Sequence, residues 1–333
     1  MKIPRAVFIC PHGPAKRLKI FKGHAPVHSW PQWANVLPDC WLAFGSEFTH
    51  AVAEELASRE LFVVIGGAQA LHVLRELRGR FPGRPVAAWQ DANTQLQLSM
   101  EAGAGTLEVL RRVMEFYRSA DAILSATRNA RSFYELFNPI VRYVGLPYPE
   151  KYLELALPAE ERQERTVAIG GVYRAGRGLL LGLLVAQRLG YRVICCGDRG
   201  GAVAGVCEAL GLESERIPLS GQVNYLKRIA KARVALYLEQ HGSVGRFVRD
   251  CAALRIPCLA SDRTDFGRGV GSDSEWRLWS VANPDYHVDV VCERLRWMEE
   301  HWPVLAEAQR ALLVREFGSE RSRQRFAEAL DWL

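Results

Sequence analysis

NYLKRIAKARVALYLEQHGSVGRFVRDCAALRIPCLASD, running from Asn224 to Asp262, decides how the chain folds. Its spacing predicts a helix over Tyr225–Ala232, an apolar strand over Val234–Leu238 and a polar glycine loop over Glu239–Gly245. A second helix over Phe247–Leu254 and another strand over Pro257–Ala260 complete it. In a strand, loop, helix, strand unit the loop lies at the carboxyl end of the first strand, where open α/β sheets receive their ligands. Gly242 and Gly245 let backbone amides approach a ligand, and the helix that follows offers an N-terminus suited to phosphate. The stretch therefore predicts a nucleotide diphosphate as ligand.

Upstream, the alternation continues. Strands are predicted at Thr166–Ile169, Tyr191–Cys196 and Arg216–Leu219, helices at Leu179–Leu189 and Val203–Leu210, and a loop of glycine and arginine at 170–178. The first half of the chain repeats the pattern. Strands at Ala6–Cys10, Leu61–Ile65, Arg84–Trp89, Ala122–Ser125 and Ile140–Val144 alternate with helices at Glu47–Ser58, Ala68–Arg78, Thr106–Ser119 and Ala130–Phe137. Strands separated by helices of this length pair in parallel through crossovers. Residues 14–45 carry no clean period; Trp30, Trp33 and Trp41 there are read as cover for the sheet, with the lining of an acceptor groove as the other reading. Pro147, Pro149 and the polar run ALPAEERQER break the alternation. The fold class is thus α/β, with two Rossmann-like, doubly wound parallel sheets. A first domain spans 1–148, a linker 149–165 and a second domain 166–315. A final helix over 316–333 is expected to pack back towards the first domain.

At 333 residues, 49% hydrophobic and 24% charged, the composition is that of a soluble globular protein. No run approaches the ~20 apolar residues of a spanning helix, and Met1-Lys2-Ile3-Pro4 leads into a strand rather than a signal sequence. A cytoplasmic protein is expected, with peripheral docking at the inner membrane face as a variant. Cys10, Cys195, Cys196 and Cys258 fall in apolar strands and no CxxC pair exists, which points to buried thiols. The net charge is +6, part of it in Lys16, Arg17, Lys19 and Lys22. Such a run is a solvated loop or a docking patch for an anionic lipid surface or a phosphorylated acceptor. No specific nucleic-acid partner is expected.

The order of motifs resembles the GT-B glycosyltransferases, most closely the retaining family-4 group. Ser119-Ala-Asp-Ala-Ile-Leu-Ser125 is similar to the strand that closes that family's first domain, and Tyr143-Val-Gly-Leu-Pro147 to the exit into its linker. Ile169 to Gly178 is similar to its glycine-arginine loop, Arg188 to Asp198 to a strand ending in Gly-Asp, Asp250 to Pro257 to its acidic helix, and Arg315 to Ser319 to its C-terminal motif. The resemblance implies two domains facing each other across a cleft and transfer of a sugar from a nucleotide diphosphate donor, UDP- or GDP-linked, to a glycan, lipid or small-molecule acceptor. It implies retention and no metal or other cofactor.

Departures from the family pattern are specific. Its paired glutamates fall at Gly242 and Asp250, so Glu239 or His241 is the substitute for the first. Its arginine falls at Gly171, with Arg174 as replacement, and Arg177 takes the place of its lysine. Its histidine-aspartate pair becomes Gln90-Asp91, and Gln90 can bind a sugar hydroxyl but cannot take a proton. The resemblance therefore carries Asp250, Glu239, Gln90 and Asp91 as catalytic positions. Gly13, Gly171, Arg174, Arg177, Gly197, Asp198, Lys227, His241, Gly242, Ser243, Val244 and Gly245 are carried as donor-binding.

No Asp-x-Asp occurs, so the departing diphosphate must be met by arginines and helix N-termini. Gly197 and Asp198, with Gly200, Gly201 and Gly205 beyond, do not follow G-x-G-x-x-G, which speaks against a nicotinamide enzyme. Gln90 and Gly242 also keep open a weakly active or inactive partner subunit that binds nucleotide or carbohydrate. A sugar-nucleotide epimerase using His12, Glu239 and His241 is the more remote alternative.

Overall fold

The computed structural model describes residues 3–11, 19–22, 30–67, 69–90, 106–128, 130–158, 161–170, 178–196, 202–217, 221–239, 243–266, 279–284 and 287–333, with backbone alone at 19–22, 106, 196 and 202. The chain divides into two compact units, one of residues 1–147 with 319–333, the other of residues 148–318.

In the first unit the strands are β1 (Ala6–Cys10), β2 (Lys19–Lys22), β3 (Trp41–Phe44), β4 (Leu61–Ile65), β5 (Val86–Gln90), β6 (Ala122–Ser125) and β7 (Val141–Tyr143), joined in the order β2-β3-β1-β4-β5-β6-β7. Every described pairing is parallel except β2 with β3. Helices α1 (Trp33–Val36), α2 (His50–Leu56), α3 (Ala70–Arg80), α4 (Thr106–Ser119) and α5 (Arg131–Tyr134) cover it. β1 and β4 are wholly apolar because both faces of the sheet are covered, and Val7, Phe8, Phe62 and Val63 are fully buried. On one face Phe8 meets Trp30, Trp33, Trp89 and Phe326. Trp30 and Trp33 thus cover the sheet, the first of the two readings above.

The second unit carries β8 (Gln163–Ile169), β9 (Arg192–Cys196), β10 (Ser214–Ile217), β11 (Ala232–Tyr237), β12 (Cys258–Ser261) and β13 (Ser280–Val281) in the order β10-β9-β8-β11-β12-β13, all parallel. Its helices are α6 (Leu179–Leu189), α7 (Ala202–Ala209), α8 (Gln222–Ile229), α9 (Arg246–Ala253), α10 (Val288–Glu300) and α11 (Trp302–Phe317); α12 (Ser319–Glu328) belongs to the first unit. α6 ends at Gly190, whose left-handed φ of 67° closes the helix as a C-cap glycine does.

Several boundaries differ from expectation. Residues 149–165, read as linker, hold a 3-10 helix at Glu150–Leu155 and the first half of β8, with Tyr148 and Tyr152 buried in the second core. The polarity of Gln163, Glu164 and Arg165 hid that half-strand, which pairs with β11 at Ala232 before a register shift. α8 starts and ends three residues earlier than expected, and β11 starts at Ala232. Cys10, read as buried, is half-buried at the last residue of β1, whereas Cys195 and Cys258 are buried thiols. Among the described residues no helix is long and apolar enough to cross a membrane.

Candidate functional site

β8 and β11 pair in parallel, Ile169 opposite Leu236, so the segments that follow them leave the same edge of the sheet. Glycines bring these segments together. A Cβ on Gly170 would lie 2.2 Å from the Phe247 ring, and one on Gly178 would lie 1.9 Å from the Leu238 carbonyl oxygen. Gly178 also holds φ +64°, a left-handed conformation costly to any residue with a Cβ. Gly245, at φ +62°, is the N-cap of α9 and makes no side-chain cap there. The first N–H groups of α9 are thus left with no side-chain cap from that residue, at the end of the helix favoured by anions.

The loop after β12 braces this edge. Ser243 N–H donates to the Arg263 carbonyl at 3.3 Å, and Asp265 N–H donates to the Ser243 carbonyl at 2.8 Å. The Ser243 hydroxyl accepts from Gly245 N–H at 3.2 Å, and Val244 is buried. Glu239 is fully buried: its carboxylate accepts from the Tyr237 hydroxyl, and its carbonyl from the Ser261 hydroxyl. Beneath lies Arg249, also fully buried, paired with Asp265 at 3.4 Å and stacked 3.7 Å above the centre of the Phe317 ring. Two charges in so apolar a place persist only as a pair, and removing one strands the other at a cost of about 3–5 kcal/mol.

Asp250 points inward. It is 3% exposed and accepts a hydrogen bond from the Tyr148 hydroxyl at 3.0 Å, and the Gln222 and Tyr225 side chains also hydrogen-bond it. Burial pushes its carboxyl up to about 7, against the pull of those hydrogen bonds and of Arg246. Burial beside Asp250 holds the Tyr148 hydroxyl well above its ordinary range. Lys227 is exposed on α8, two residues from Tyr225 and so on a different side of the helix.

In the first unit, Gln90 ends β5 with its side chain buried. Its amide oxygen accepts from the Tyr117 hydroxyl at 2.8 Å, and a Cβ on Gly66 would lie 2.7 Å from that oxygen. A groove of about 370 Å³ between α3 and α4 is lined by His72, Arg75, Glu108, Arg111, Arg112 and Glu115. Its charges pair within the groove, Arg75 with Glu115 and both Arg111 and Arg112 with Glu108, leaving a salt-bridged helix surface.

The structure therefore brings Glu239, Ser243, Val244, Gly245 and Asp250 to one edge of the second sheet; Lys227 is exposed on α8, and Gln90 belongs to the first unit. Gly13, Asp91, Gly171, Arg174, Arg177, Gly197, Asp198, His241 and Gly242 lie outside the described residues, as do Lys16 and Arg17. Sequence reasoning missed Tyr148, Gln222, Tyr225, Tyr237, Arg249, Ser261 and Asp265. A period of two along an extended chain puts Tyr237 on the side of Glu239. An adjacent Arg249 and Asp250 in an otherwise apolar helix called for buried partners. Nothing local marked Tyr148.

No family model matches the chain, and no curated protein matches its sequence. Solved structures do match. HepE from Anabaena, in complex with UDP, superposes with a TM-score of 0.71 at 11% identity over 99% of this chain and 100% of its own. An α-glucosyltransferase in complex with UDP and DNA gives 0.64 at 12% over 99% and 100%, and sucrose-phosphate synthase from Thermosynechococcus elongatus 0.65 at 13% over 88% and 83%. With two doubly wound sheets and likeness over nearly its full length, the chain has the GT-B fold.

Proposed function

We propose that the chain is a glycosyltransferase that takes a sugar from a UDP-linked donor at the carboxyl edge of the second sheet. The observation that carries this reading is the edge itself. Gly170, Gly178 and Gly245 frame it, a brace of backbone hydrogen bonds fixes it, and α9 opens there without a side-chain cap from its N-cap residue. The sequence adds Arg174 and Arg177 in the segment between Gly170 and Gly178. Arginines and helix N–H groups are the donors that stabilise a departing diphosphate while positive character grows on the sugar ring. The structural likeness to UDP-bound glycosyltransferases supports UDP as the nucleotide. Retention, independence of metal and an acceptor taken by the first unit follow from the resemblance to the family-4 enzymes and belong to the same proposal.

A thermal-shift panel of UDP, GDP, ADP and CMP tests it, with UDP the nucleotide expected to stabilise the fold. Arg177→Ala is expected to weaken UDP binding by about 1–3 kcal/mol, the worth of a charged hydrogen bond to phosphate; isothermal titration that finds equal affinity removes Arg177 from the site.

A second reading, a nucleotide-binding partner without turnover, has one observation in its favour. The oxygen of Gln90, at the position of a family catalytic pair, is engaged by Tyr117 inside the first unit. Stabilisation by UDP with no release of sugar from any UDP-sugar would select that reading.

A further inference from the structure

The resemblance makes Asp250 a contact of the donor, but its neighbours in the fold are side chains. Tyr148 opens the second unit, and its N–H donates to the Phe317 carbonyl at 2.8 Å, beside the point where the chain leaves that unit. Gln222 and Tyr225 stand three residues apart on the first turn of α8, hence on one face. Asp250 itself lies on the second turn of α9. One buried carboxyl thus joins the entry segment, α8 and α9. α8 follows β10 and α9 follows β11 in a parallel sheet, so both helices begin at its carboxyl edge.

Building on the nucleotide reading above, we infer that Asp250 is a positioning residue: through Tyr148, Gln222 and Tyr225 it fixes the N-terminal turns of α8 and α9 where the diphosphate is held, without itself touching the nucleotide. A carboxyl that is 3% exposed and hydrogen-bonded to three side chains has little capacity left for a ribose. The charged and titratable groups acting around it are Tyr148 and Tyr152 of the entry segment, Tyr225 of α8, and Arg246 and Cys251 of α9, with Arg310 of α11 acting on Tyr148. Its proton is held by burial, and losing it places an anion beneath a phosphate site.

Titration of UDP into wild type, Asp250→Asn, Asp250→Ala and Tyr148→Phe across the neutral range distinguishes the roles. Circular dichroism at each pH reports folding. Asparagine keeps the shape of a protonated aspartic acid but cannot ionise. Asp250→Asn is therefore expected to match wild type at about pH 5.5 and to bind UDP about tenfold tighter than wild type at about pH 8.5. Comparing the two proteins at each pH cancels the titration of UDP itself. Asp250→Ala and Tyr148→Phe, with the tie cut, are expected to bind about tenfold more weakly throughout. If Asp250→Ala fails to fold, the Asp250→Asn profile carries the test alone. Weak binding by Asp250→Asn at the acid end would make Asp250 a direct ligand and overturn the inference. Lowered melting with unchanged affinity in the folded variants would reduce it to packing and overturn it as well. Absence of UDP binding by wild type at every pH would overturn the nucleotide reading, and this inference with it.

Discussion

Asp250 is a carboxyl whose protonation the fold favours. Its folded value near 7 stands above the ordinary 3.8, so the native state binds the proton more tightly than the unfolded chain does. This contribution is fully present below about pH 4 and is lost as pH rises through about 7, and a shift of this size corresponds to about 4 kcal/mol. Asp250→Asn does not titrate, so its melting temperature relative to wild type is expected to climb between about pH 4 and pH 8. Scanning calorimetry at several pH values checks this; a constant offset between the two proteins would mean that the carboxyl is ionised in the fold. At the scale of residues the sequence exposed Asp250 through its place in a family pattern, and Glu239 through its position after an apolar strand. Tyr237, two residues from Glu239, was within reach of a local reading, but other partners stayed hidden because the fold brings them from far along the chain: Tyr148 lies 102 residues from Asp250, and Ser261 22 residues from Glu239.

At the scale of elements, the site edge depends on how closely the segments after β8 and β11 approach. Gly178 is where that approach is tightest, with left-handed backbone and a Leu238 carbonyl where a Cβ would stand. Gly178→Ala is expected to cost more than about 2 kcal/mol, combining strained φ with displacement of β11's end. Urea denaturation measures it, and a loss below a few tenths would show that the loop closes in another way. Elements were legible where alternation was strong: β4, β5, β9 and β12 lie within a residue or two of their predicted spans. β2 and β3 escaped because residues 14–45 mix tryptophan, proline and lysine without a period. β13 escaped because two residues cannot display one. Half of β8 was lost to its polar start, which pairs with β11 although Glu164 and Arg165 face solvent.

Over the whole molecule, the chain builds most of the first unit, then the second, and returns its last fifteen residues to the first. Gly318 marks the return: a Cβ there would lie 2.5 Å from the Val314 carbonyl. In α12, Phe326 is fully buried against Phe8 and Trp33, and beyond it Asp331 pairs with Arg142 at 2.8 Å. Loss of the Phe326 ring alone is worth about 3–5 kcal/mol, a large part of the stability of an ordinary domain. A chain ended after Gly318 is therefore expected to melt with the first unit unfolding early, seen as selective proteolysis within residues 1–147; a protease-resistant first unit would show that α12 is dispensable. Two parallel sheets could be foreseen from the alternation of strands and helices, and a final helix packing back towards the first domain was expected, but the contacts that hold it, Phe326 on Phe8 and Trp33, are tertiary ones that no local pattern announces. The central claim is transfer of sugar from a nucleotide donor, and the most direct measurement is UDP release when the purified protein is given a panel of UDP-sugars. The account predicts slow release from one of them in the absence of acceptor, reduced in Arg177→Ala. No release from any UDP-sugar, in a protein that remains folded, would contradict it.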